Sequence, residues 1–231
     1  MTQWPDAEED LVAIQQSLAV EIMEPWRPSD PVTFGSCWVC FERGLAGRGA
    51  PGDRAWAAAV TIRRRKPLAS AVLEGVAEGA YQPGLMALRE GPLLEDPVRA
   101  LGSTPDVVLV NATGRDHPRR AGLALHLGAV LSLPTVGVTH RPLIAEGDLP
   151  GAARGATSRL TIDGDVVAMW LRTRVGVRPV VVHPAWRTDV DAAVEVVQRS
   201  LERARTPEPL RLARRLARLA RAGLVPVTPH P

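Results

Sequence analysis

Residues 105–128 read PDVVLVNATGRDHPRRAGLALHLG. Val107 to Val110 form a short apolar run that suits a strand buried on both faces. The run stops at the polar Asn111, and a loop containing Gly114 follows. Asp116, His117, Arg119 and Arg120 crowd the next few positions, and an apolar helix is predicted from Ala121 to Ser132. In open α/β sheets, ligands bind beyond the carboxyl ends of the strands. This one segment therefore predicts both an α/β fold and the place of the functional site, with Asn111 at its centre.

The flanking sequence extends that fold. Upstream, Leu11, Val12, Ile14, Leu18, Val20 and Ile22 recur among polar residues and predict an amphipathic helix over 6–23, ended by Pro25 and Pro28. Strands are predicted at 32–41, 55–62 and 68–77, the first two separated by a glycine-rich loop at 44–52. Tyr81-Gln82-Pro83-Gly84 is a turn signal. It leads into a helical run with Leu88, Arg89 and Glu90 that continues to Leu101. Downstream, Thr135–Thr139 reads as a buried strand. Leu160–Ile162 and Val166–Leu171 read as a hairpin across Asp163-Gly164-Asp165, and Val180–Val182 as a further strand. Helices are predicted at 189–203 and 209–222, the latter basic with Leu210, Leu212, Leu216 and Leu219 as its packing face. A meander followed by alternating helices and strands gives an α/β fold with a mixed central sheet flanked by helices on both faces. No linker divides the 231 residues, so one domain is expected.

Composition narrows the classes. With 45% hydrophobic residues the chain can bury a full core. No apolar run approaches the roughly 20 residues of a membrane span. The acidic start, MTQWPDAEED, lacks the basic and apolar regions of a secretory signal. A cytoplasmic protein is the expectation. Cys37 and Cys40 lie three apart in the predicted strand FGSCWVCF, so they point to opposite faces and neither chelate one ion nor close one disulfide. Lys66 is the only lysine among 28 basic residues, and the sequence pI is about 9.5. Arginine is the better fork for phosphate, although codon composition produces the same skew. His126, within an apolar helix, reads as a core residue.

Several blocks in order resemble the endonuclease V family, over roughly residues 30–215. PDVVLVNATGRDHPRRAGLALHLG and SLPTVGVTHRPL are similar to the family's strand, DGHG, HPRR and VPTIGVAK blocks. YQPGLMALRE resembles its Tyr-x-Pro-Gly wedge and FRE, and RTPEPLRLARRLA its PEPTR-type tail. The resemblance implies an RNase H-like fold. It also implies recognition of deaminated purine (inosine) in DNA or RNA, and cleavage to its 3′ side with Mg2+ or Mn2+. It makes Tyr81, Pro83 and Gly84 the wedge that fills the gap left by a flipped base. It places Gly114, His117, Arg119 and Arg120 beside the site, and Gly137 and Val138 at the base pocket.

The departures fall on the chemistry. The family glutamate is present as Glu90, the one expected metal ligand left. The first family aspartate is Cys37, two residues after Gly35, and the second is Asn111. The lysine of GVAK is His140, and the histidine of GHR aligns with Trp186. A thiol is a poor magnesium ligand, and asparagine offers a carbonyl oxygen without charge. Loss of two carboxylates predicts weak metal binding and little or no hydrolysis. Two other readings stand beside this one. One is an active endonuclease with a metal site rebuilt from Glu90, Asn111 and a group such as Asp116. The other is a non-catalytic scaffold for another chain.

Overall fold

The structure, a computed structural model, describes residues 3–45 and 47–227. In chain order it runs α1 (Glu8–Val20), β1 (Thr33–Phe41), β2 (Arg54–Arg63), β3 (Lys66–Val76), α2 (Ala87–Arg99), β4 (Val107–Val110) and α3 (Leu123–Leu131). Then come β5 (Thr135–Thr139), β6 (Thr157–Ile162), β7 (Asp165–Leu171), β8 (Val180–Pro184), α4 (Val190–Arg199) and α5 (Glu208–Arg221). The strands form one sheet in the order β3-β2-β1-β4-β5-β8-β7-β6. β1, β4 and β5 are mutually parallel and every other pairing is antiparallel. The carboxyl ends of β1, β4 and β5 therefore open on the same edge of the sheet.

The four residues of β4 explain why it is apolar throughout. Successive strand side chains alternate between faces. Val108 and Val110 join Leu11, Leu94 and Leu125 from α1, α2 and α3. Val107 and Leu109 join Val196, Val197 and Leu210 from α4 and α5 on the other face. Cys37 and Cys40 divide in the same way. Cys37 packs into the first cluster and Cys40 beneath α5, its Sγ donating to the Ala217 carbonyl at 3.3 Å. Both are free thiols. His126 is buried as expected, its ring 4.3 Å from that of Trp4.

Two expectations need correction. Helix α1 stops at Val20, and Val20 and Ile22 are 78% and 98% exposed, so the apolar stripe ends with Leu18. In α5 the residues on the sheet are Leu210, Ala213, Ala217 and Ala220, while Leu212, Leu216 and Leu219 stay half-buried along its flank. The reason is close approach. Beneath the helix, Ala217 and Ala220 meet Ala58 of β2 beside Trp56, and these small residues bring the helix down onto the sheet. No helix among the described residues is long and apolar enough to cross a membrane.

Candidate active-site cleft

A cleft of about 320 Å³ opens where the carboxyl ends of β4 and β5 meet α1, α2 and the turn before α2. Tyr81, Pro83, Gly84, Glu90, Asn111, His117 and Thr139 line it, together with Gln15, Met86, Ala87, Ala112, Thr113, Leu123 and Leu143.

The turn is built from its sequence. Pro83 presets the second position of Gln82–Leu85, and Gly84 takes a φ of +79°, which a side chain would resist. The Leu85 N–H closes the turn on the Gln82 carbonyl at 3.1 Å. The Gly84 carbonyl then accepts three side-chain donors: Gln15 Nε2 at 3.1 Å, His117 Nε2 at 3.1 Å and an Arg119 guanidinium nitrogen at 2.9 Å. Arg119 also donates to Gln15 Oε1. The Arg119 backbone N–H donates to His117 Nδ1, which assigns the ring proton to Nε2. Burial pushes His117 down to about 4, so the ring is neutral at physiological pH. His117 and Arg119 thus brace the Gln82–Leu85 turn.

Arg89 braces it from the side. This guanidinium is 3% exposed and donates to the carbonyls of Ala50 and Gly79 and to Asp53 at 2.7 Å. It also lies 4.0 Å from the Phe41 ring centre. The loop it holds carries the Gly49 carbonyl, which accepts from the Tyr81 N–H at 3.1 Å. Tyr81 is left 38% exposed at the mouth of the cleft.

Glu90 follows Arg89 but pairs with neither Arg89 nor Arg119. Among the described residues its carboxyl makes no side-chain hydrogen bond, and burial pushes it up to about 7 against the opposing pull of the Arg89 charge. Cys37 sits beside Val110 in the β1–β4 register, fully buried beneath the cleft with Ala87 and Leu123. Burial, and then the Glu90 charge, push its thiol up, so it stays protonated. Asn111 is exposed and neutral.

This set does not fit a magnesium or manganese ion, which needs hard anionic oxygens. Among the described residues, one carboxylate, Glu90, lines the cleft. Among the described residues, no three His, Cys, Asp or Glu side chains gather as a metal site. Asp116 is not a spare ligand. It is fully buried, and its two oxygens accept the backbone N–H groups of Leu143, Ile144 and Ala145 at 2.7, 2.9 and 2.8 Å. It fixes the loop after β5.

Several predicted site residues lie elsewhere. Arg120 donates to the Ile162 carbonyl and to Asp163, docking on the β6–β7 turn. Val138 packs into the core on the opposite face. A Cβ on Gly114 would meet the Pro184 carbonyl oxygen at 2.1 Å, and one on Gly137 the Ala112 carbonyl oxygen at 2.3 Å. Those two glycines let backbones approach and do not line the cleft. His140 is exposed, with Arg205 and Arg214 as its charged neighbours, and it too stands outside the cleft. Trp186 bonds through its backbone to Thr135 at the start of β5, the end of the sheet away from the cleft, so its identity does not bear on the cleft.

Other cleft residues escaped the sequence reading. Gln15 was legible as a polar residue in register with Leu11 and Leu18 on the buried face of α1. Thr139, whose hydroxyl donates to the Arg141 carbonyl and accepts from the buried His183 Nε2 at 2.8 Å, gave no local signal.

The family model described as endonuclease V matches residues 45–215. An endonuclease V of Methanopyrus kandleri is 36% identical over 221 residues, covering 94% of this chain and 91% of its own length. The crystal structure of endonuclease V from Streptomyces avermitilis superposes with a TM-score of 0.85 at 33% identity, over 96% of each chain. A more distant fold neighbour at 20% identity and TM-score 0.74 is Ciona intestinalis endonuclease V, covering 94% of this chain and 98% of its own. It was solved with DNA containing an inosine. The fold is RNase H-like, and the chain belongs to the endonuclease V family.

Proposed function

We propose that this chain recognises deaminated bases in DNA or RNA through the cleft and cleaves the backbone weakly or not at all. The observation that carries the reading is the cleft's charge. Among the described residues Glu90 is its one carboxylate, Asn111 is neutral, and the Cys37 thiol is buried and protonated. A divalent ion bound there would lack the anionic oxygens that offset its charge and orient water. The recognition parts are in better order. The wedge turn is fixed by Gln15, His117, Arg119 and Arg89, and Tyr81 stands at the mouth with room behind it for a flipped base. Asp116 is fully engaged by backbone donors, which leaves the rebuilt metal site without its extra ligand.

The test pairs two readouts on inosine-containing and matched plain oligonucleotides, of both DNA and RNA. Gel shifts should show preference for the inosine strand, lost in Tyr81→Ala. Incubation with Mg2+ or Mn2+ should leave the strand uncut. Nicking beside the inosine at a catalytic rate sinks the loss of hydrolysis. Equal binding to both strands sinks the recognition.

A further inference from the structure

The face of the sheet opposite the cleft carries basic side chains that the cleft does not use. The β2–β3 turn is Arg63-Arg64-Arg65-Lys66, with all four residues exposed. Arg64 and Arg65 hold φ of +48° and +66°, which turns the chain tightly and projects the basic side chains from the sheet's lower end. That end is remote from the cleft, because Arg63 pairs with Thr33 at the start of β1 whereas the cleft opens at the strand's other end. Helix α5 lies on this face. Its Arg211, Arg215 and Arg218 follow i, i+4, i+7 spacing on the exposed side, spanning about 10 Å or roughly three nucleotide steps of a duplex. Arg215 and Pro67 line one groove, and Arg64 and Arg65 line another with Asp30, Glu202 and Glu208, the last in the first turn of α5. Turn and helix therefore flank neighbouring grooves, and Arg218 lies further along α5 beside Arg43 and Arg221.

Few of these cations form ion pairs among the described residues, although Asp30, Glu202 and Glu42 lie in the same grooves. Arg211 is held by Glu208. Among the described residues, no carboxylate pairs with Arg63, Arg64, Arg65, Lys66, Arg215 or Arg218. Cations left exposed without partners suit a polyanion. Two observations favour nucleic acid over an anionic membrane. The inner side of α5, Leu210, Ala213, Ala217 and Ala220, is buried on the sheet and leaves only half-buried leucines on its flank, whereas a membrane-surface helix inserts its apolar side into the lipid. The cations are arginine in all but Lys66, and the guanidinium fork matches phosphate oxygens.

We propose that Arg63–Lys66 with Arg215 and Arg218 form a second, sequence-independent surface for the phosphate backbone of double-stranded nucleic acid, separate from the cleft. This rests on the reading that the protein binds nucleic acid. The surface supplies affinity for any duplex, and the cleft supplies discrimination.

The test is fluorescence anisotropy of full-length protein on plain and inosine-containing duplexes across a salt series. Two double variants are used, Arg215→Gln with Arg218→Gln, and Arg64→Gln with Arg65→Gln. Each should weaken plain-duplex binding and reduce the slope of log K against log salt by about 2, since each phosphate contact contributes about 0.9. The ratio of inosine to plain affinity should stay as in the parent. Tyr81→Ala should do the reverse, losing the ratio and keeping the slope. If both pairs keep the parent affinity and slope, with melting curves showing intact folds, the surface is not used and the proposal fails. Vesicles of phosphatidylserine and phosphatidylcholine are the control. Binding to them that the arginine pairs abolish, with duplex binding unaffected, overturns the proposal in favour of a membrane. A parent with no inosine preference but slopes that fall in the arginine pairs refutes the recognition reading and leaves this surface standing.

Discussion

Replacing Glu90 by glutamine should stabilise the protein in alkali and barely affect it in mild acid. The carboxyl is partly buried at the base of the cleft, carries no hydrogen-bond partner among the described residues, and is pushed from 4.5 up to about 7 by burial. A folded-state value above the unfolded one means the folded state holds the proton longer. Stability is then full below about pH 4.5 and is lost as pH rises toward 7. At about 1.4 kcal/mol per unit, the ionised carboxylate costs about 3 kcal/mol at pH 8.5 and under about 1 kcal/mol at pH 5. Glutamine has the same shape and no charge to desolvate. Glu90→Gln should therefore melt roughly 6–12 °C above the parent at pH 8.5. The two should nearly coincide at pH 5. Thermal melts followed by circular dichroism, with EDTA present, read this directly. A Glu90→Gln protein that is no more stable than the parent at pH 8.5 would show that the carboxylate is solvated or paired, and the argument from an isolated charge would fail.

Three further outcomes follow. Cys37→Asp with Asn111→Asp puts two carboxylates beside Glu90. In EDTA the double variant should melt below the parent, and saturating Mg2+ should restore about 2.7 kcal/mol at a concentration 100-fold above its Kd, while the parent melts alike with and without the ion. Asp116→Ala strips the acceptors from three backbone N–H groups and should cost about 2–4 kcal/mol in urea titration. A loss under 0.5 kcal/mol, far below about 1 kcal/mol per net bond, would mean that the loop after β5 finds other partners. Arg89→Met should free the loop at 47–53, seen as new protease cleavage there, and should lower the inosine preference by loosening Tyr81. Unchanged cleavage would leave the clamp without a role.

Much of this was legible in the sequence because it is local. The 107–110 run read as a doubly buried strand, and each of its side chains takes the face that alternation assigns. The turn at 81–84 read from Pro83 and Gly84, and its hydrogen bond and positive φ follow from those two residues. The strand reading of Cys37 and Cys40 held for the same reason. What failed depends on contacts between distant elements. Arg120 looked like a neighbour of His117, but its left-handed backbone, φ +56°, sends it to the β6–β7 turn. Asp116 looked available for a metal until the loop of Leu143 to Ala145 was seen folded over it. The α5 leucines obeyed helical periodicity, yet alanines took the inner face, where Ala217 and Ala220 pack against Ala58 of β2. Gln15 lies outside the region of resemblance, and only the fold shows that it ties α1 to the Gly84 carbonyl.

The central claim is that the cleft keeps its recognition parts but has lost the charge needed to hold a divalent ion. Manganese titration of the protein followed by electron paramagnetic resonance of the free ion tests it most directly. The account predicts no saturable site, and identical curves for the parent and Glu90→Gln. One equivalent of tightly bound manganese, lost in Glu90→Gln, would contradict it.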